Sequence, residues 1–140
     1  MGVDGLAGET LGLLAALLLG LAGCRAPAAQ AVPKAIEREA SAAFEHARER
    51  WRRGGELALE EARSSASRAV ELDPGFAIAW ALLAEEHARA RFWHLDLSED
   101  RLEKARRALD RALAIAPDDI TVRTLAGSVY YYGYRDFERA

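Results

Sequence analysis

The sequence predicts an all-α protein: a signal helix, a short tether, then an α-solenoid of about two and a half antiparallel helix pairs. Three observations predict it. Thirty of the 140 residues are alanine against four phenylalanines and four tyrosines, and alanine is the strongest helix former and packs in close helix contacts. From Lys34 onward only Gly54-Gly55, Asp73-Pro74-Gly75 and Pro117-Asp118-Asp119 interrupt the helical pattern. Pro74 and Pro117 end comparable segments 43 residues apart, and self-similarity at a period of 20 to 50 residues marks stacked repeats. Length allows one compact domain. With 51% apolar and 29% charged residues the chain can bury a core. The net charge of −3 gives no general attraction to nucleic acid.

Taken in order, Leu11 to Gly23 reads LGLLAALLLGLAG, an uncharged run directly before the single cysteine, Cys24. It is shorter than the roughly 20 residues needed to cross a bilayer and matches the apolar core of an export signal, about 7 to 15 residues. Leu21-Ala22-Gly23-Cys24 resembles the lipobox of bacterial lipoproteins. The resemblance implies acylation of Cys24 and cleavage after Gly23, so residues 1–23 are expected to be a signal peptide. Several acyl chains then give stable anchoring, since each buried methylene contributes about 0.8 kcal/mol. The opening MGVDGLAGET departs from the pattern, carrying Asp4 and Glu9 and no Lys or Arg. Arg25 follows the cysteine where Asp would signal retention, which favours an outer-membrane destination in a two-membrane cell. Residues 24–33, with two prolines and small side chains, form the expected tether.

Residues 34–140 form the expected helical domain, in repeats of about 34–74, 75–117 and an incomplete 118–140. Proline disfavours helix in the residue before it, and Asp after each break is expected to cap the next helix. Phe44, Ala47 and Trp51 lie on a long first helix, and a second runs from about Leu57 to Leu72. Ala62 to Pro74, ARSSASRAVELDP, aligns without a gap to Ala105 to Pro117, ARRALDRALAIAP. Ala62, Ala66 and Ala69 match Ala105, Leu109 and Ala112 at spacings of four and three, which share one helix face.

On these residues the chain resembles the tetratricopeptide repeat family. Trp80, Leu83 and Ala84 occupy the family's Trp, Leu and small-residue places, His87 stands in the usual tyrosine place, and Ala126 and Gly127 fill the leucine and glycine places. Two departures stand out. The middle repeat is nine residues longer than the usual 34, with the excess near Arg91 to Arg101, where an extended helix and loop are expected. The third repeat has one extra residue before Arg135, and Arg135 to Ala140 resembles only the opening of a second helix. The resemblance implies a concave groove lined by first helices, placing Ile78, Ala81, Glu85, Arg89, Thr121, Thr124, Ser128 and Tyr131 on it, with Glu85 and Arg89 selecting charge at the rim.

No Gly-rich phosphate loop, paired-Cys motif, Gly-x-Ser-x-Gly or His-Glu-x-x-His occurs, so neither an enzyme nor a metal or cofactor site is expected. Glu85-Glu86-His87 invites a metal or general-acid reading, but the two glutamates diverge on a helix and His87 falls on the packing seam. Trp93-His94 reads as helix-end packing before it reads as a recognition feature. Arg48-Glu49-Arg50-Trp51-Arg52-Arg53 reads as a solvated helix end favoured by the dipole. Three consecutive tyrosines, Tyr130 to Tyr132, cannot all face a core, so one ring is expected at an interface. The expected function is a non-catalytic scaffold at the cell envelope, membrane-attached by its lipid, binding a protein or peptide and no nucleic acid, with self-association or further C-terminal repeats covering the last helix. Alternatives are an accessory subunit of a transporter or envelope assembly complex, which a pocket beneath the inserted loop would favour, or a truncated repeat segment of a signalling protein.

Overall fold

The computed structural model describes residues 32–140; the apolar run, Cys24 and most of the tether lie outside them. The described residues are all-helical, with no strand among them: α1 (Lys34–Arg53), α2 (Glu56–Leu72), α3 (Ala77–Phe92), α4 (Glu99–Ile115) and α5 (Ile120–Val129). A π-helical turn, Tyr130–Tyr134, continues α5. None of the described helices is long and apolar enough to cross a membrane.

Turn chemistry sets the boundaries. Gly54 and Gly55 have φ of 68° and 87°, left-handed values that favour glycine, and they let α2 follow α1 after two residues. Pro74 follows the end of α2 as expected, but Asp73 does not cap the next helix. Its carboxylate accepts from the Gly75 N–H at 2.9 Å, which braces the turn, and α3 starts without a side-chain cap. Trp80 also braces it, donating from Nε1 to the Pro74 carbonyl at 3.1 Å. Ser98 caps α4 through the Arg101 N–H, and Asp119 caps α5 through the Val122 N–H at 2.9 Å, as the Pro-Asp-Asp sequence predicts.

Consecutive helices pair, α1 with α2 and α3 with α4. The aligned residues Ala62, Ala66, Ala69, Ala105, Leu109 and Ala112 are all buried, and their small side chains let the rods approach closely. Helix α3 is the centre of the molecule. It packs on α2, α4, α5 and the π-helical turn, and eleven of its sixteen residues are buried. A helix covered on all sides is expected to be apolar all round, yet α3 carries Glu85, Glu86 and His87 inside.

The connection after α3 is shorter than a long helical extension: α3 ends at Phe92 and α4 begins at Glu99. The end of the chain differs from expectation. Residues 135–140 form a turn, not the opening of a second helix. The position before Arg135, where the family resemblance counts one residue too many, falls in the π-helical turn, a form that adds a residue to a helical turn without breaking the rod. Gly133 lets that turn sit against α3 and α4, since a Cβ there would lie 3.2 Å from Ala88 Cβ and 3.3 Å from Leu102 Cδ1. Arg135, at φ 56°, then ends the helix, and Ala140 folds back against Gly127.

Candidate functional site

Helices α1, α3 and α5 enclose a cleft of about 420 Å³. Phe44 and Trp51 of α1, Ile78 and Leu82 of α3 and Leu125 of α5 make it apolar; Arg48 and Arg52 stand at its edge, and Glu85 and Thr121 also line it. Phe44 is fixed by Phe76 at a centroid distance of 4.9 Å, which ties the first hairpin to the second. A more open concavity of about 560 Å³ runs along α5 past Thr124, Ser128 and Tyr131 to Ala140.

The eight residues placed on a groove by family resemblance therefore separate. Ile78, Glu85 and Thr121 line the first cleft, and Thr124, Ser128 and Tyr131 the second concavity. Arg89 lines neither; its guanidinium lies 4.6 Å from the Trp51 ring and 4.8 Å from the Tyr132 ring and pairs with Glu85 at 3.4 Å. Ala81 is not on a groove: it is fully buried with Ala77, Ala112 and Val122 in a second small core cluster. Glu85 is not at a rim either, since only 1% of it is exposed. The helix that carries both is central, so its seemingly outward faces meet α5 and the π-helical turn.

The arginine-rich end of α1, read as a solvated terminus, is partly that: Arg48, Arg52 and Arg53 are exposed. It also supplies three walls of the cleft, Arg48, Trp51 and Arg52. The alternation of Trp51 with arginines was the available signal in the sequence. Tyr131 is the exposed ring of its cluster, as expected.

Burial governs the titration of α3. The Glu85 carboxyl is pushed up by desolvation, against the pull of the Arg89 guanidinium and of the Ser128 and Trp51 donors beside it. Glu86 is pushed up to about 8 by burial and then by the Glu85 charge, so it holds its proton at neutral pH. His87 is pushed down to about 4 by burial and then by Arg101. Its neutral Nδ1 sits 3.2 Å from Arg101 Nη1, where it accepts. Among the described residues, four buried side-chain atoms have no hydrogen-bond partner: Trp51 Nε1, Glu85 Oε2 and both oxygens of Glu86. The first cleft thus offers apolar burial, with the Glu85 carboxyl and the Trp51 donor buried beside each other in its wall. No group of three or more His, Cys, Asp or Glu arranged to hold a metal occurs among the described residues.

No protein-family model matches the chain, and comparison with curated proteins and with solved structures gives no match.

Proposed function

We propose that the chain is a non-catalytic tetratricopeptide-repeat scaffold of the bacterial cell envelope, anchored by acylated Cys24, which holds a protein or peptide partner on its first helices. The observation that carries the reading is the cleft between α1, α3 and α5, the three helices that are first in their repeats. Its walls bury apolar side chains of a partner, and the buried core of an interface is where most binding energy collects. Arg48 and Arg52 at the cleft's edge favour acidic flanks on that partner. The sequential pairing of helices and the shared alanine seam support the repeat reading. The lipobox at Leu21 to Cys24 supports the location.

The test is capture of partners from envelope extract by the acylated protein, with Ile78→Glu as the comparison. Ile78 is half-buried in the cleft, so a charge there blocks apolar side chains without opening the core. Capture should fall at least about tenfold, a loss of roughly 1.4 kcal/mol, with helicity unchanged. Equal capture by both proteins counts against the cleft. The intact mass of the mature amino terminus tests acylation separately.

A further inference from the structure

A second cleft, of about 170 Å³, lies beneath the connection between α3 and α4. We propose that it binds one guanidinium or primary ammonium group, with the buried Glu86 carboxylate as counter-ion and Glu56 as a second acid in its lining. The proposal does not depend on the groove reading, because this cleft shares no residue with the one between α1, α3 and α5.

Charge selects the ligand. Four acids line the cleft, Glu56, Glu60, Glu86 and Asp96, against two bases, Arg63 and Arg101. Both bases are already engaged: Arg63 pairs with Glu60, and Arg101 with Asp96 at 2.8 Å. Two carboxyls are left over, Glu56, which is exposed, and Glu86, which is fully buried with neither oxygen hydrogen-bonded. A buried carboxylate is unfavourable unless it is paired and hydrogen-bonded. A guanidinium meets both needs at once, because its parallel N–H groups reach both carboxylate oxygens, and an ammonium meets them with three donors.

Size and donor set exclude other classes. The volume is several times that of a water, roughly 30 Å³, which suits one cationic head with a short stem along Leu59 and Ala90. It is too small for a folded peptide segment. Divalent cations fit less well, because Glu60 and Asp96 are already paired with arginines and the two remaining carboxyls offer fewer oxygens than the roughly six to eight that calcium takes, and no metal-holding acid group occurs among the described residues.

In the absence of a cation a proton takes its place. Burial and the neighbouring Glu85 push Glu86 up to about 8. The groups that face it are Glu85 and Arg89 on its own helix, Glu56, Glu60 and Arg63 on α2, Asp96 on the connection and Arg101 on α4. Only the ionised form pairs with a cation, so binding releases the proton, and apparent affinity follows the ionised fraction. That fraction, and the affinity, should rise about tenfold from pH 7 to pH 9.

The experiment titrates the full chain, carboxyl-labelled at glutamate, with methylguanidinium chloride, and in parallel with tetramethylammonium chloride at matched ionic strength. Methylguanidinium should move the Glu86 carboxyl resonance to a plateau. Tetramethylammonium, which has the charge but no N–H, should not. In Glu86→Gln the saturable response, read at the Leu95 amide, should vanish, and Glu56→Gln should weaken it. No plateau in the native chain, an equal plateau with tetramethylammonium, or a plateau that survives Glu86→Gln each overturns the proposal. If Glu86→Gln loses helicity, the contrast between the two cations in the native chain decides.

Discussion

Glu85, Glu86 and His87 are three consecutive titratable side chains inside one helix; His87 is buried on the packing seam its sequence position predicts, whereas Glu85 is buried and not at a rim. The sequence argument that Glu85 and Glu86 diverge is right: one lines the cleft toward α1 and α5, the other the cleft beneath the α3–α4 connection. Divergence does not mean exposure, because α3 is enclosed by neighbours that only tertiary packing supplies. The pH dependence follows. Glu86 has its carboxyl raised from 4.5 to about 8 in the folded state, so above pH 4.5 the unfolded chain loses a proton the folded chain keeps. Stability therefore falls as pH rises from 4.5 to 8. His87, lowered from 6.5 to about 4, acts the other way: stability rises from pH 4 to 6.5 and its contribution is then constant. Between pH 7 and 8 the Glu86 effect dominates. Denaturant unfolding should give roughly 1 kcal/mol less stability at pH 8 than at 7, and Glu86→Gln should be nearly flat over that interval. A native curve as flat as the variant's would show that Glu86 ionises freely in the fold.

At the scale of the element, α1 to α4 were legible because propensity, punctuation and the apolar seam agree. Gly54-Gly55 and the two prolines mark boundaries through backbone conformation, which needs no tertiary information. The last helix was legible only to Val129. The family resemblance counts one residue too many before Arg135, but the sequence does not say whether such a residue enters a loop or a helix. Packing decided, since the π-helical turn puts the Cβ-free Gly133 against Ala88 and Leu102 and aims the Tyr134 hydroxyl at the Leu102 carbonyl, 3.4 Å away. Gly133→Ala should therefore cost about 1 to 3 kcal/mol, the usual range for overpacking, although alanine is the better helix former by about 1 kcal/mol. Thermal unfolding with the matched Gly127→Ala separates the two effects. At Gly127 a Cβ would meet only the backbone of Ala140, 3.0 Å away in a segment outside the helices, so alanine there should cost less than at Gly133, whose neighbours are held in two packed helices. If both variants are stabilised equally, propensity governs and the turn is not packed as described.

For the whole molecule the question is how the two hairpins hold together. Helix α1 packs chiefly on α2, so the first hairpin meets the rest through α2 on α3 and through a few α1 side chains. Phe44 on Phe76 and Trp51 on the Arg89 guanidinium are the links that can be named. The many ion pairs are mostly exposed and within one helix, and such pairs contribute about 0 to 1 kcal/mol each. Cross-helix pairs such as Arg50 with Glu61 join α1 to α2 and do nothing for the hairpin boundary. Cohesion between hairpins is thus mainly apolar, and stability is expected to divide at that boundary. Phe44→Ala should cost about 3 to 5 kcal/mol. Native-state hydrogen exchange should show the loss in α1 and α2, with α4 protected as before, because α4 is covered by α3 and by Val122 of α5. If α4 amides accelerate as much as those of α1, the molecule unfolds as one unit, and the cleft between α1, α3 and α5 cannot adjust to a partner by moving the first hairpin alone.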